Sequence, residues 1–315
     1  MKLIKPGILS TFQDLGRNGY RYLGINPNGA MDKTAVRLLN ILLQNPEEEA
    51  TLEIHFPAPE IAFEQDAIIA IGGADFTPML NNQLINNWQT IVVSAGSILK
   101  FRKRNTGQRA YIALKGGFDI PQWLGSKSNN IIINPARMKA GDRLRTFHLS
   151  AKTQRFYLAN DNLPVYATTP TIRITQGNEY PCLNEESRQL LESQSFMISQ
   201  NSNRMGFRLS ASPLKLQESR ELISSAVDFG TIQLLPDGQL IVLMADHQTT
   251  GGYPRMGNVI SVDLPVLAQC GTNDYINFQI ISLEQAEEQL FLREKKIAKL
   301  KASIQVIQNN TSCKA

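Results

Sequence analysis

Short apolar runs rich in Ile, Val and Phe, each closed within a few positions by Gly, Pro, Asn or Asp, constrain this 315-residue chain more than any other feature. They stand at 51–56, 67–71, 90–93, 98–102, 110–114, 171–174, 239–244 and 276–281. Many short strands spaced by turns predict closed or sandwiched sheets rather than a doubly wound parallel fold. Two segments read differently. Asp32 can cap a helix whose apolar residues Ala35, Leu38, Leu39, Leu42 and Leu43 recur at helical spacing. Ser282-Leu283-Glu284-Gln285 is a capping-box start for an amphipathic C-terminal helix over 283–304, with a frayed polar tail at 305–315. Residues 151–169, broken by Asp161, Asn162 and Pro164, read as a bridge between halves. The expected division is 1–160 and 161–290.

Composition narrows the class. At 42% apolar residues and without low-complexity runs, the chain has the makings of ordinary cores. The net charge of +4 is mild, and the basic runs 100–109 and 293–301 lack interleaved aromatics, so they read as solvated faces rather than a nucleic-acid surface. Cys182, Cys270 and Cys313 form no CxxC pair, and His55, His148 and His247 are scattered, which argues against a disulfide framework or a zinc site. No signal-peptide core and no long apolar span stand out, so the expectation is a cytoplasmic, soluble protein with no membrane partner.

Standard chemical motifs are missing: no GxxxxGK[ST], GxGxxG, GxSxG or HExxH. Gly125-Ser126-Lys127-Ser128 resembles the end of a phosphate loop without its upstream glycine, and Met138-Lys139 lacks the neighbours of a biotinylated lysine. Polar islands remain. Residues 244–263, MADHQTTGGYPRMGNVISVD, set Asp246, His247, Gln248, Thr249 and Thr250 against Gly251, Gly252 and Tyr253, where glycines allow close backbone approach to a ligand. A plain Gly-Gly turn explains the same residues. Residues 12–40 carry Gln13, Asp14 and Arg17 beside Gly16 and Gly19. The two segments share a loose pattern, which fits a duplicated barrel. Residues 113–128 run a strand into Gly116-Gly117. Arg204 and Arg208, four apart, are either an anion grip or two surface arginines. Thr231-Ile232-Gln233 precedes the turn Pro236-Asp237-Gly238, a hairpin signal unless Gln233 faces a cleft.

Taken together, FQDLGRNGYRYLGINPNGAMD, KGGFDIPQWLGSKS, SNRMGFRL and LMADHQTTGGYPRMGNVISVDLPVLAQ resemble the KipA-like family. It is also known as the family of the 5-oxoprolinase C component, as biotin-dependent carboxyltransferase-like subunit 2 or as the allophanate hydrolase subunit 2 family. The resemblance runs from about Gly7 to Ile281, in blocks of the same order. It departs at Lys127 and Asn129, where the family usually carries Arg and Thr, and at Leu43-Gln44-Asn45, where it commonly has Val-Gly-Asn. The resemblance implies a mainly β chain of two cyclophilin-like β-barrel domains with a few short helices and a C-terminal helix. It also implies companion B (KipI-like) and A components, ATP with Mg²⁺ in the complex, no biotin on this chain, and ATP-dependent opening of 5-oxoproline to L-glutamate.

In that reading Asp246, Gln248 and Asp14 are the expected catalytic residues. Arg204, Arg208, Thr249, Thr250, Gly251, Gly252, Tyr253, Gln13 and Arg17 are expected at substrate, and Gly116, Gly117, Ser126 and Lys127 at phosphate or oxyanion. Two alternatives stay open: a carboxyltransferase component acting on urea or another amide with a biotinylated partner, and a regulatory protein that sequesters a KipI-like partner.

Overall fold

The computed structural model describes residues 1–129, 138–146, 155–218 and 222–312, with side chains to 307. His148, Cys313 and residues 151–154 of the expected bridge lie outside the described residues. The chain forms two compact units: Met1–Gly16, Asp32–Val165 and Glu294–Ala315 make the first, Arg17–Met31 and Tyr166–Arg293 the second. The boundary thus falls at Val165 rather than 160, and the segment Arg17–Met31 groups with residues more than a hundred positions later.

In the first unit the strands are β1 (Lys2–Lys5), β2 (Ser10–Gln13), β3 (Thr51–Ile54), β4 (Glu60–Ala62), β5 (Ala67–Asp75), β6 (Pro78–Leu80), β7 (Gln83–Leu84), β8 (Thr90–Val93), β9 (Ile98–Phe101) and β10 (Thr106–Leu114). They form two five-stranded sheets, β1-β4-β9-β6-β7 and β2-β3-β10-β5-β8. Leu3, Ile61 and Leu99 from one sheet share a core cluster with Phe12, Leu52 and Ile112 from the other. Each large aliphatic residue so buried contributes roughly 1.5–3 kcal/mol. Helix α1 (Lys33–Leu43) packs on β5 and β10, burying Ala35, Val36, Leu38, Leu39, Ile41, Leu42 and Leu43. The Asp32 carboxylate caps it by accepting from the Ala35 N–H at 2.8 Å, as its sequence position predicts. The interior strand β5, between β10 and β8, is buried along nearly its whole length, which accounts for its unbroken AIIAIGGA run.

The second unit contains β11 (Thr171–Gln176), β12 (Phe196–Ile198), β13 (Gly206–Ser210), β14 (Ser225–Ala226), β15 (Thr231–Leu234), β16 (Leu240–Leu243), β17 (Thr250–Gly251), β18 (Arg255–Val259) and β19 (Tyr275–Ile280). Seven of them close into a barrel in the order β11-β18-β15-β16-β13-β12-β19, while β14 and β17 form a separate ribbon. Closure leaves the barrel without an unpaired edge. Ile172, Phe207, Ile232, Val242, Met256 and Phe278 fill it, together with Met31 from the early segment. So the resemblance's barrel closes here, whereas the first unit's strands are divided between two sheets.

The few short helices expected beside the strands include two whose positions no apolar periodicity marked. They are α2 (Glu185–Ser193), capped by Asn184 through the Ser187 N–H at 2.8 Å, and α3 (Leu264–Ala268). The final helix α4 (Leu283–Ser312) opens with the expected capping box: Gln285 Oε1 accepts from Ser282 N at 2.9 Å, and Ser282 Oγ from Gln285 N at 3.2 Å. It continues past the expected end at 304, because Gln305–Ser312 contains no Gly or Pro to stop it and Ile304 is buried. No described helix is long and apolar enough to cross a membrane.

Candidate functional site

In the first unit the site residues gather on Asp14, directly after β2. Its Oδ1 accepts from Gly16 N at 2.7 Å, Ser126 Oγ at 2.8 Å and Ser128 Oγ at 2.6 Å, and its Oδ2 accepts from Lys127 N at 2.6 Å. Ser128 Oγ accepts in turn from Asp14 N at 2.9 Å. The carboxylate is 6% exposed and is a hub that folds the 126–128 loop onto β2. With both oxygens engaged in this way, Asp14 positions the loop that carries Ser126 and Lys127. Among the described residues no group of three or more His, Cys, Asp or Glu side chains could hold a metal ion.

The expected phosphate donors are also engaged. Gly116 N donates to Asn45 Oδ1 at 2.9 Å, and Gly117 N to Leu114 O at 2.9 Å. Lys127 Nζ meets Glu49 Oε1 at 2.6 Å and Phe118 O at 3.3 Å. A Cβ on Gly117, whose φ is +82°, would sit 2.4 Å from the Glu49 carboxyl carbon. That glycine therefore makes room for Glu49 rather than for a phosphate. Gln13 is buried; its Nε2 donates to Thr11 Oγ1 at 3.1 Å, while its Oε1 accepts no hydrogen bond from the described residues.

In the second unit the corresponding hub is Asp246. Arg204 grips it with Nε at 2.9 Å and Nη2 at 3.0 Å, and the same Nη2 donates to Gly29 O at 2.6 Å. Backbone bonds reinforce the pair: Asp246 N donates to Arg204 O at 2.8 Å, and Asn26 Nδ2 to Asp246 O at 3.2 Å. The guanidinium fork expected to hold a substrate carboxylate is thus occupied by one of the expected catalytic residues. Arg208 does not join it. It lies on β13 with an exposed side chain, between the buried Phe207 and Leu209. Arg204 lies in the loop before β13, and the extended strand carries Arg208 away from it.

Beyond Asp246, His247 is buried. Its Nδ1 lies within hydrogen-bond reach of Gln248 O, which makes Nδ1–H the donor and leaves Nε2 as an acceptor 3.9 Å from Asp228 Oδ1. Burial lowers its pKa below the usual imidazole value, opposed by the Gln248 hydrogen bond and the Asp228 charge. Asp228 also pairs with Arg21 Nη1 at 3.0 Å. His247 stands in the polar 244–263 segment, but no motif singles out Asp228, Arg21 or Asn26, which only contacts some two hundred positions long reveal.

The segment after His247 presents its polar groups. Gln248, Thr250 and Tyr253 are exposed, Thr249 is half-buried with its carbonyl accepting from Val227 N at 3.2 Å, and β17 pairs with β14. Neither Gly251 nor Gly252 adopts a positive φ. Gly251 instead leaves space for a side chain: a Cβ there would lie 2.4 Å from Gln233 Nε2. Of the early residues, Arg17 belongs to this unit and is buried, its N–H donating to Pro27 O at 2.8 Å.

With this geometry in view, comparisons place the chain among known proteins. A family model for the carboxyltransferase domain, subdomains A and B, matches residues 23–280. The chain is 36% identical over 282 residues to the C component of 5-oxoprolinase from Haemophilus influenzae, covering 88% of this chain and 90% of that protein. It is 34% identical over 291 residues to the C component of 5-oxoprolinase from Escherichia coli, covering 91% and 93%. A urea amidolyase from Lachancea kluyveri matches at 29% identity over 91% of this chain but 17% of its own length. Among solved structures, the urea amidolyase of K. lactis superimposes with a TM-score of 0.89 at 26% identity, covering 95% of this chain and 20% of that one. TTHA0988 gives a TM-score of 0.80 at 26% identity, covering 88% and 55%.

Proposed function

Since the chain belongs to the carboxyltransferase-domain family, subdomains A and B, we propose that it serves as the C component of a 5-oxoprolinase, acting with the A and B components in the ATP-dependent opening of 5-oxo-L-proline to L-glutamate. One observation carries the reading. The relatives named as the C component of 5-oxoprolinase align over 90% and 93% of their own length, so the likeness extends to the whole protein rather than a shared module. For the urea amidolyases only 17% of the protein is matched.

Ring opening adds water oxygen to the lactam carbonyl carbon, breaks the C–N bond and delivers a proton to the departing nitrogen. The substrate offers a carboxylate, a carbonyl oxygen and an N–H, so it needs polar contacts that can reach it. In this chain Gln248, Thr250 and Tyr253 supply them on the face of the β17 segment. Arg204 and Asp246 neutralise each other and fix the backbone that leads into that segment, which makes them positioning residues. Asp14 does the same for the loop carrying Ser126 and Lys127. ATP and Mg²⁺ supply the driving force of the overall reaction. The Gly116, Gly117 and Lys127 donors do not fit a phosphate cradle, because each already has a partner, and no step is routed through them.

The test is glutamate release from 5-oxoproline by this chain combined with its A and B companions, with and without ATP and with this chain omitted. Release only in the complete mixture supports the reading. A well-formed complex that releases none refutes it. Dependence on biotin and bicarbonate would then favour the carboxyltransferase alternative, and binding without any turnover the regulatory one.

A further inference from the structure

Gln233 sits in the middle of β15, between Ile232 and Leu234, both of which point into the barrel core. Strand alternation turns its side chain to the opposite face, where a carboxamide would ordinarily meet water. Yet Gln233 is only 4% exposed. What covers it is the segment that carries the proposed substrate contacts: Nε2 donates to Tyr253 O at 3.4 Å, and the position a Gly251 Cβ would take lies 2.4 Å from the same nitrogen. The pairing of β15 with β18 shifts register at this point, from Ile232↔Gly257 to Gln233↔Arg255. An extra residue in one strand re-aims side chains and bends the ladder locally. Beyond the shift, Leu234 N donates to Pro254 O at 2.9 Å, so the strand holds the successive carbonyls of Tyr253 and Pro254.

From these features we infer that Gln233 is a positioning residue, which fixes the Gly251–Tyr253 backbone and so sets how Thr250 and Tyr253 meet the substrate. The inference rests on the 5-oxoprolinase reading for its effect on substrate, but not for its effect on the backbone. It also explains the glycine. Position 251 does not adopt a positive φ, so the group an alanine methyl would meet there is the Gln233 amide, which would have to move aside.

The experiment uses the assembled enzyme with Gln233→Ala, Gln233→Glu, Gly251→Ala and the double variant Gln233→Ala/Gly251→Ala. Gln233→Ala and Gln233→Glu should raise KM for 5-oxoproline about tenfold with kcat changed less than about twofold, the signature of lost ground-state positioning. Gly251→Ala alone should do at least as much and lower Tm. The double variant should recover Tm towards that of Gln233→Ala, a non-additive coupling expected only if the two groups compete for one space. Wild-type kinetics in Gln233→Ala, or strictly additive Tm changes, overturn the inference. Backbone amide exchange over 248–255 decides the matter even if the assembly shows no turnover. Gln233→Ala should speed exchange there about tenfold while the rest of the barrel is unchanged, and unaltered exchange overturns the inference whatever the protein's activity.

Discussion

Asp14 and Asp246 stand beside a glutamine or a histidine in polar, glycine-containing stretches, and on sequence they are interchangeable candidates for acid–base work. The structure treats them in opposite ways. Asp14 is satisfied by neutral donors, two hydroxyls and two backbone N–H groups, with no cation on its oxygens among the described residues. Asp246 is satisfied by one cation, presented by Arg204 as a two-pronged fork. The first carboxylate organises a loop by collecting many weak partners, the second a strand end through one strong partner. Removing each should therefore fail differently.

The largest effect is expected at the neutral hub. Asp14→Ala strands Ser126, Ser128 and two N–H groups in a buried setting and should cost about 3 kcal/mol or more in urea unfolding. Asp14→Asn, which keeps the shape and one acceptor, should cost less, and equal losses would contradict the hub description. At the ionic hub, Arg204→Ala leaves a partly buried carboxylate alone and should cost about 2 kcal/mol. A double-mutant cycle with Asp246→Ala should return a coupling of about 1 kcal/mol or more, and a coupling near zero would mean the fork contributes geometry without energy.

Smaller again is the pH dependence at His247, next to the ionic hub. Burial depresses its folded pKa below the ordinary value of 6.5. Its contribution to stability is then fully present above that value and is lost as pH falls through the unfolded pKa towards the folded one. His247→Gln should flatten the slope of stability against pH between about 7 and 5, and an unchanged slope would assign it to other groups. The smallest stability effects belong to Gln248→Ala and Tyr253→Ala. Exposed as they are, these should stay within about 0.5 kcal/mol of the parent while the glutamate-release rate collapses. Full activity in both would place the site elsewhere.

Much of the fold is legible in the sequence because its signals are local. The apolar run at Thr90–Val93 and its strand share both boundaries, and the caps at Asp32 and Ser282 start their helices as their side chains predict. Partners of the site residues are not legible. Asp14 lies 112 positions from Ser126, and Arg204 lies 42 from Asp246. No spacing rule encodes such meetings. The glycines mislead for a related reason: Gly117 and Gly251 yield space to Glu49 and Gln233, side chains far away in sequence or on another strand, rather than to a ligand. Short α2 is the opposite case, since its Asn184 cap followed by Glu185 and Glu186 is a usable local signal that a strand-dominated reading passes over.

The early segment Arg17–Met31 has a consequence for synthesis. It supplies the second unit with Arg21, Asn26, the Gly29 carbonyl and the core residue Met31, yet the rest of that unit begins at Tyr166. On a ribosome adding about 5–20 residues per second, those side chains wait on the order of ten seconds before their first partners emerge. The second unit therefore cannot mature in gene order. A fragment starting at Tyr166 would be a barrel missing a piece of its own filling, and supplying 17–31 as a separate peptide should restore it in part.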